Sequence, residues 1–187
     1  PPVTNIVLDV EFERYGHFCL TGFPEPVDDG FAALYAPKRY VLDKLLLDAA
    51  AEAGAEIREA FSVSEVLVED GVVVGIRGRT QQGTSVTERA SVVIGADGMR
   101  SLVASTVNAA EYHVVPPLAF GYYTYWDGVP LKGLEFYTRP GSTVIAFPTN
   151  DDQAAVFVER PERDFANFRA DIGPSYLDTV AAIAPDL

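Results

Sequence analysis

The chain has 187 residues, of which 48% are hydrophobic and 22% charged, a composition that excludes a disordered tail and allows one full core or two smaller lobes. It carries 14 basic and 27 acidic side chains, a formal net charge of −13. Nucleic acids and anionic membrane surfaces need basic patches, so neither is expected as a partner. The single cysteine, Cys19, excludes an internal disulfide and is expected to be a buried, inert thiol. No apolar run reaches a membrane span and no signal pattern opens the chain, which favours a cytoplasmic location.

The first 35 residues predict antiparallel strands. Residues 6–12 alternate apolar and polar side chains, as a half-buried strand does. A turn joins them to a second strand at 17–21. A loop rich in proline, aspartate and glycine follows at 24–30, and a short strand is expected at 31–35. Residues 1–35 are therefore interpreted as the first hairpin of a sheet with a return strand.

Residues 36–111 predict an α/β unit. Apolar side chains recur at helical spacing over 40–53, and Gly54 supplies the stop. A short strand is expected at 55–58. A three-stranded meander follows, joined by Asp-Gly and Gln-Gly turns in which glycine accepts the positive φ. Its strands are predicted at 62–68, 72–79 and 84–90.

The apolar run at 91–95 does not alternate, which predicts a parallel strand covered on both faces. A short helix is expected at about 100–106. Beyond it, residues 112–187 predict an antiparallel sheet with two helices. The strands are expected at 118–126, 133–138, 143–148 and 153–159, and the helices at about 161–170 and 175–183, separated by Ile172-Gly173-Pro174.

The sharpest chemical feature is Asp97-Gly98, which ends the apolar run and begins the short helix. Ligands of α/β sheets bind outside the carboxyl ends of parallel strands, where a helix N-terminus offers free N–H groups. Two interpretations remain open: Asp97 accepts hydrogen bonds from ligand hydroxyls, or it only caps the helix. The segment does not match G-x-G-x-x-G and is no dinucleotide fingerprint of its own.

Two further features point to binding. Arg39 opens the strongest helix, where its guanidinium could pair with a pyrophosphate, although a solvated Lys38-Arg39 pair is the simpler interpretation. The predicted strand 118–126 carries aromatic residues on both faces, which suggests one face on the core and one lining an apolar cavity. Packing of all of them against helices remains an alternative. No cluster with metal-ligand spacing is found, so no metal site is expected.

The order of these elements, together with Arg39-x-x-Leu42-x-x-x-Leu46 and Asp97-Gly98-Met99-Arg100-Ser101, resembles FAD-dependent monooxygenases of the p-hydroxybenzoate hydroxylase type. It resembles even more their geranylgeranyl-reductase-like and halogenase-like relatives. The resemblance implies a fold of α/β plus antiparallel β. It comprises a partial, Rossmann-like FAD-binding lobe with the meander (36–111) and an antiparallel substrate lobe with flanking helices (112–187).

The resemblance also implies cofactors and site residues. FAD is expected as the cofactor and NAD(P)H as its reductant. The residues expected to bind the cofactor are Arg39, Asp97, Gly98 and Ser101. Those expected to bind an apolar or aromatic small molecule are Tyr122, Thr124, Trp126, Ile145 and Phe147. No side chain is assigned as catalytic.

The chain departs from the family pattern in three places. G-x-G-x-x-G and the late Gly-Asp motif are absent, so the chain is interpreted as an interior fragment that does not bind FAD tightly alone and whose apolar surface could pair with a second copy. Ala104 stands where the Asp-Gly motif usually carries an arginine. In the reductases' Pro-x-x-Tyr-x-Trp-x-Phe-Pro pattern, Pro140, Phe147 and Pro148 fit but Thr143 and Ile145 replace the aromatics, so substrate and reaction type stay open.

The predicted function is therefore that of an FAD-dependent oxidoreductase, a hydroxylase or ene-reductase, of which this chain is an interior part. The alternative is a non-catalytic α+β domain that binds a lipid or another small molecule. The sequence does not choose between oxygenation and reduction.

Overall fold

The computed structural model describes residues 1–13, 16–23 and 33–187. The predicted loop at 24–30, part of the first hairpin turn and the start of the strand predicted at 31–35 lie outside the described residues. The described chain forms two compact units. The first consists of Pro1–Leu46 with Pro116–Leu187, and the second of Leu47–Val115.

The secondary structure follows the predicted order at most positions. The strands are β1 (Pro2–Val3), β2 (Ile6–Phe12), β3 (Gly16–Gly22), β4 (Leu34–Tyr35), β5 (Phe61–Glu69), β6 (Val72–Thr80), β7 (Ser85–Arg89), β8 (Ala119–Asp127), β9 (Leu134–Arg139), β10 (Ser142–Pro148) and β11 (Gln153–Pro161). The helices are α1 (Arg39–Glu52), α2 (Leu102–Thr106), α3 (Phe165–Ala170) and α4 (Ile172–Ile183). Short 3-10 turns cover Asn150–Asp152 and Glu162–Asp164.

The first unit is built on a six-stranded mixed sheet with the order β3-β2-β9-β10-β11-β8. Neighbouring strands are antiparallel except β2 and β9, which run parallel. Because side chains alternate along a strand, one set from β10 and β11 faces α3 and α4 and the other faces away. Val144, Val156 and Val158 belong to the helix-facing set and are fully buried. They form one core with Phe168 of α3 and with Tyr176 and Val180 of α4.

The second unit contains the three-stranded meander β5-β6-β7 and α2. Asp70 and Gly71 connect β5 to β6, with φ of 49° and 79°. Positive φ at both central residues is the conformation of a type I′ hairpin turn, so the turn predicted from Asp-Gly is confirmed. Arg77 and Arg89 on β6 and β7 pair with Glu65 and Glu69 on β5 across this sheet.

Several local predictions are wrong. Residues 55–58 and 91–95 form no strand, and Val92 and Ile94 are 73% and 84% exposed. No described strand pairs with residues 91–95. The run therefore lacks the neighbouring strands and covering layers that a buried parallel strand needs. Cys19, expected to be buried, is exposed, as are all seven residues of the edge strand β3.

Two helices also differ from expectation. No residue of α1 is buried, and Leu45 and Leu46 of its predicted apolar stripe are 64% and 57% exposed. Ile172, Gly173 and Pro174, predicted to separate two helices, form the first turn of α4, a position that tolerates proline because its N–H would have no partner there. None of the helices in the described ranges combines the length and apolarity needed to cross a bilayer.

Candidate functional site

An apolar cleft of about 400 Å³ lies on the sheet face opposite α3 and α4, between that face and residues 35–39. We name it the aromatic cleft. Its lining residues are Tyr35, Ala36, Pro37, Lys38, Arg39, Tyr123, Tyr125, Phe147, Thr149, Ala155 and Phe157. All of them belong to the first unit. Concave apolar surfaces with a few convergent polar groups are the usual form of small-molecule sites.

Strand register explains why these aromatic side chains meet. Tyr123 of β8 pairs with Phe157 of β11, and Phe157 pairs with Ile145 of β10. Directly opposed residues project to the same face, so the three side chains form one row. Gly121 makes room for this row, because a Cβ at that position would stand 2.1 Å from Cζ of Phe157.

Lys38 is the charged residue buried in the wall of the aromatic cleft, with only 6% of its surface exposed. Its ammonium donates to Oδ2 of Asp151 and to Oε1 of Gln153, each at 2.7 Å, and lies 5.0 Å from the ring centroid of Tyr125. The hydrogen bond to Asp151 raises the pKa of Lys38 above its ordinary value, and the same bond lowers the pKa of Asp151. The ammonium therefore stays charged at neutral pH.

The turn 149–153 holds the segment around Lys38 in place. The backbone N–H of Lys38 donates to Oδ1 of Asn150 at 2.9 Å, and the hydroxyl of Thr149 donates to the carbonyl of Ala36 at 2.7 Å. Asp151 and Asp152 both adopt left-handed backbone, with φ of 64° and 55°. Such backbone is strained for residues other than glycine and persists where surrounding contacts over-determine it.

Arg39, predicted to bind the cofactor, is the first residue of α1 and lines the aromatic cleft. Its side chain is 79% exposed and makes a two-pronged ion pair with Asp43, at 3.1 and 3.2 Å. Hydrogen bonding to Asp43 raises the pKa of the guanidinium. Since an exposed pair of this kind is weak, Arg39 is available to exchange Asp43 for an anionic ligand.

The other predicted cofactor residues, Asp97, Gly98 and Ser101, lie together in the second unit. The hydroxyl of Ser101 donates to Oδ1 of Asp97, and the N–H of Leu102 donates to Oδ2 at 2.6 Å. The N–H of Ala104 donates to Oγ of Ser101 at 3.0 Å. The hydrogen bond from Ser101, supported by backbone N–H groups, lowers the pKa of Asp97.

The helix-cap interpretation of Asp97 is therefore realised in the structure. The N–H groups at the start of α2 that were expected to be free for a phosphate are taken by Asp97 and Ser101, which corrects that part of the prediction. Gly98 has a φ of 79° and open space where a Cβ would stand, so the backbone of this turn remains accessible to close approach by a ligand.

The five predicted substrate residues do not share one face. Tyr122 stacks on Phe168 with ring centroids 5.2 Å apart, and the indole N–H of Trp126 donates to the hydroxyl of Tyr176 at 3.1 Å. Both residues, with Thr124 between them, lie on the helix-facing side, whereas Ile145 and Phe147 project to the side of the aromatic cleft. Alternation along the strand determines which residues share a face. Which of the two faces is covered depends on where the helices pack.

Sequence reasoning missed Lys38 as a wall residue, and it missed Tyr125 and Phe157 as its neighbours. Tyr123 and Tyr125 stand two positions apart in the predicted strand 118–126 and therefore share one face, so the alternation contained a signal for this wall. Lys38 carried no such signal, because Asp151 and Gln153 follow it by 113 and 115 residues.

Residues 32–166 match the family described as FAD binding domain, which is well over half of the chain. The chain belongs to this family. A relative of this FAD binding domain, the digeranylgeranylglycerophospholipid reductase of Methanosarcina mazei, is 33% identical over 128 residues, covering 65% of this chain and 31% of that enzyme. The enzyme of the same name from Methanocella arvoryzae is 39% identical over 66 residues, covering 35% of this chain and 17% of its own. The chain thus spans less than a third of these curated relatives.

Solved structures resemble this FAD binding domain over most of its length. The myxobacterial chondrochloren halogenase, an FAD-dependent halogenase, has a TM-score of 0.77 at 18% identity, over 96% of this chain and 42% of its own. A geranylgeranyl bacteriochlorophyll reductase-like protein from Thermoplasma acidophilum has a TM-score of 0.60 at 19% identity, over 85% and 40%. Likeness at these identities concerns the fold. The predicted fold class is confirmed by these structures, and the predicted flavoprotein family is confirmed by the match to the FAD binding domain.

Proposed function

We propose that this FAD binding domain is one section of an FAD-dependent oxidoreductase that hydroxylates or reduces an apolar or aromatic small molecule. The observation that carries the proposal is the aromatic cleft, an apolar hollow with Arg39 on its lining, in a chain whose residues 32–166 match the family. Since the chain spans less than a third of its curated relatives, we propose that it is inactive alone.

Bound FAD would supply the redox chemistry, with NAD(P)H as the proposed reductant. Arg39 would hold a flavin phosphate or the edge of the ring, as a guanidinium that pairs with two oxygens at once. Asp97 and Gly98 would lie at the ribityl-pyrophosphate part. Ser101 would fix the orientation of the Asp97 carboxylate, which its hydroxyl already contacts. The lowered pKa of Asp97 keeps that carboxylate ionised and able to accept hydrogen bonds from hydroxyls.

The proposed substrate wall is the row that lines the aromatic cleft. Of the residues predicted from the sequence, Phe147 lines the cleft and Ile145 lies on the same sheet face beside Phe157. Tyr123, Tyr125 and Phe157 take the place of Tyr122, Thr124 and Trp126. Tyr122 and Trp126 support the wall from behind by packing against Phe168 and Tyr176. The wall excludes water and orients an apolar ligand by shape and by stacking on aromatic rings.

The test is flavin uptake by the enzyme that contains this chain, measured as the visible absorbance of protein-bound flavin after gel filtration. Arg39→Ala and Asp97→Ala are expected to lower FAD affinity about tenfold or more, because each removes a charge-assisted contact. Arg163→Ala is the matched control, since Arg163 has the same 79% exposure as Arg39 and does not line the aromatic cleft.

A colourless enzyme that takes up no added FAD would refute the proposal and favour a non-catalytic binding domain. Retained flavin in both variants would refute the roles given to Arg39 and Asp97 while leaving the flavoenzyme standing. Oxidation of NADH or NADPH by the loaded enzyme tests the reductant separately. A cytoplasmic location and self-association stay predictions.

A further inference from the structure

The aromatic cleft differs in charge from the rest of the molecule. The chain has a net charge of −13, yet the lining of the aromatic cleft contains the two cations Lys38 and Arg39 and no carboxylate. The remaining lining is aromatic, aliphatic or, at Thr149, hydroxylic. An apolar hollow with only positive charge complements a ligand that has an apolar body and an anionic end.

Lys38 is a buried and paired cation in the wall of the aromatic cleft, as a charged group that binds a ligand usually is. Burial of an ammonium is costly unless it is paired, and the turn 149–153 meets that cost with the bonds to Asp151 and Gln153. An ammonium has three N–H donors. Two of them donate to the oxygens of Asp151 and Gln153. The hydroxyl of Tyr40 is a further polar neighbour of the ammonium, and the ring of Tyr125 is its neighbour within the lining of the aromatic cleft.

We propose that the aromatic cleft binds an apolar organic anion and that Lys38 selects it, its ammonium contacting the carboxylate, phosphate or phenolate oxygen while Tyr123, Tyr125 and Phe157 contact the apolar body. Arg39 at the exposed rim adds to the positive field. Asp151 pairs with the ammonium at 2.7 Å and reduces this field, but its carboxylate lies outside the lining of the aromatic cleft, so the ligand meets the ammonium and not the carboxylate.

The identification of this anion as the substrate rests on the proposed function, whereas its binding does not require flavin. The ammonium attracts an anion but not a neutral ligand of the same shape, and the pairing with Asp151 and the cost of desolvation reduce this difference without removing it. A preference of at least about tenfold for an anion over a neutral ligand of the same shape is therefore expected.

The test uses the full enzyme that contains this chain and three probes of one shape: 2-naphthoate, the neutral 2-naphthamide and the cationic 2-naphthylmethylammonium. Dissociation constants are measured by NMR titration, and shifts of the Tyr123 and Tyr125 ring signals locate each probe in the aromatic cleft. We expect 2-naphthoate to bind about tenfold tighter than 2-naphthamide and the cation to bind most weakly. Equal affinities, or no shift of either tyrosine, would overturn the inference.

Lys38→Met removes the ammonium and keeps most of the stem. We expect it to weaken 2-naphthoate about tenfold while 2-naphthamide changes less than about twofold. Lys132→Met is the matched control, because Lys132 is exposed and does not line the aromatic cleft. If Lys38→Met weakens both probes equally, Lys38 is only structural and the inference fails.

A double variant separates direct contact from simple neutralisation of Asp151. In Lys38→Met/Asp151→Asn no unpaired carboxylate remains, so recovery of wild-type 2-naphthoate affinity would show that Asp151 was the cause and would overturn the role of Lys38. Persistent weakness supports direct contact. If these variants do not fold, the charge series on the unchanged chain still decides whether the aromatic cleft prefers anions. Failure of FAD uptake alongside a clear anion preference would refute only the proposed function.

Discussion

The ammonium of Lys38 lies 2.7 Å from the carboxylate of Asp151, although 113 residues separate them in the chain. The hydroxyl of Tyr40 donates to the same oxygen of Asp151 at 3.2 Å. The turn at 150–152 therefore fixes the start of α1 against the six-stranded sheet, and with it the position of Arg39 at the aromatic cleft. Both relationships join segments within the first unit.

Asp151 and Asp152 provide a matched pair for measuring this clamp. Glycine relieves left-handed strain at either position, but only Asp151→Gly also removes the bonds to Lys38 and Tyr40. We expect Asp151→Gly to lower the thermal midpoint by about 2–4 °C and Asp152→Gly to leave it unchanged or raise it. Scanning calorimetry measures both, and equal effects would argue against the clamp.

Ser101 should stabilise the second unit by capping the N-terminus of α2. A serine that accepts a hydrogen bond at a helix N-terminus is worth about 1 kcal/mol over alanine, and Ser101 accepts from Ala104. Ser101→Ala should lower the free energy of unfolding by that amount in urea denaturation. Ser105→Ala is the control within the same helix, because the Ser105 hydroxyl only donates back to the carbonyl of Leu102. A larger loss at Ser105 would contradict the cap.

The stabilisation that the Asp97 carboxylate gives to the start of α2 should depend on pH. Hydrogen bonds to the ionised form hold the folded pKa of Asp97 below the ordinary value of 3.8. The stabilisation is therefore present above the unfolded pKa and is lost as pH falls through the lower folded pKa. We expect the carboxyl carbon NMR signal of Asp97 to titrate below pH 3.8. In Ser101→Ala the midpoint should move upward, and an unchanged midpoint would exclude Ser101 as the main cause.

The two faces of the sheet should respond differently to truncation. Phe168 is 5% exposed and belongs to the helix-side core, whereas Tyr123 on the aromatic cleft is 56% exposed. We expect Phe168→Ala to cost about 3–5 kcal/mol of unfolding free energy and Tyr123→Ala to change it by less than about 0.5 kcal/mol. Tyr123→Ala should instead weaken the binding of 2-naphthoate. Comparable losses of stability would mean that both faces are core.

Gly121 should control the shape of the aromatic cleft. An added methyl group would collide with Phe157, so Gly121→Ala should cost about 1–3 kcal/mol and displace the Phe157 ring. Adding Phe157→Leu should recover much of the loss. Gly22→Ala is the control, because a Cβ there meets nothing within 4 Å. Urea denaturation of these variants and of Phe157→Leu alone measures the effect, and additive losses in the double variant would exclude the collision.

Short-range sequence preferences determined many of the turns and strands of this protein without any long-range contact. The Asp70-Gly71 turn, the meander and the alternation of β8 follow from backbone preferences and side-chain period, which act over a few residues. Arg39 and Asp97-Gly98-Met99-Arg100-Ser101 were sufficient to suggest the flavoprotein family, and the order of elements around them supported it.

Only the tertiary structure decided which faces are covered. It placed Tyr122 and Trp126 against Phe168 and Tyr176, and left Tyr123 and Tyr125 for the aromatic cleft. The alternation of side chains along β8 does not identify the buried face, because both faces carry aromatic residues. Burial depends on where α3 and α4 pack. The sequence likewise presented Lys38 as an ordinary surface cation. Its burial follows from Asp151 and Gln153, partners that only the folded chain brings within hydrogen-bonding distance.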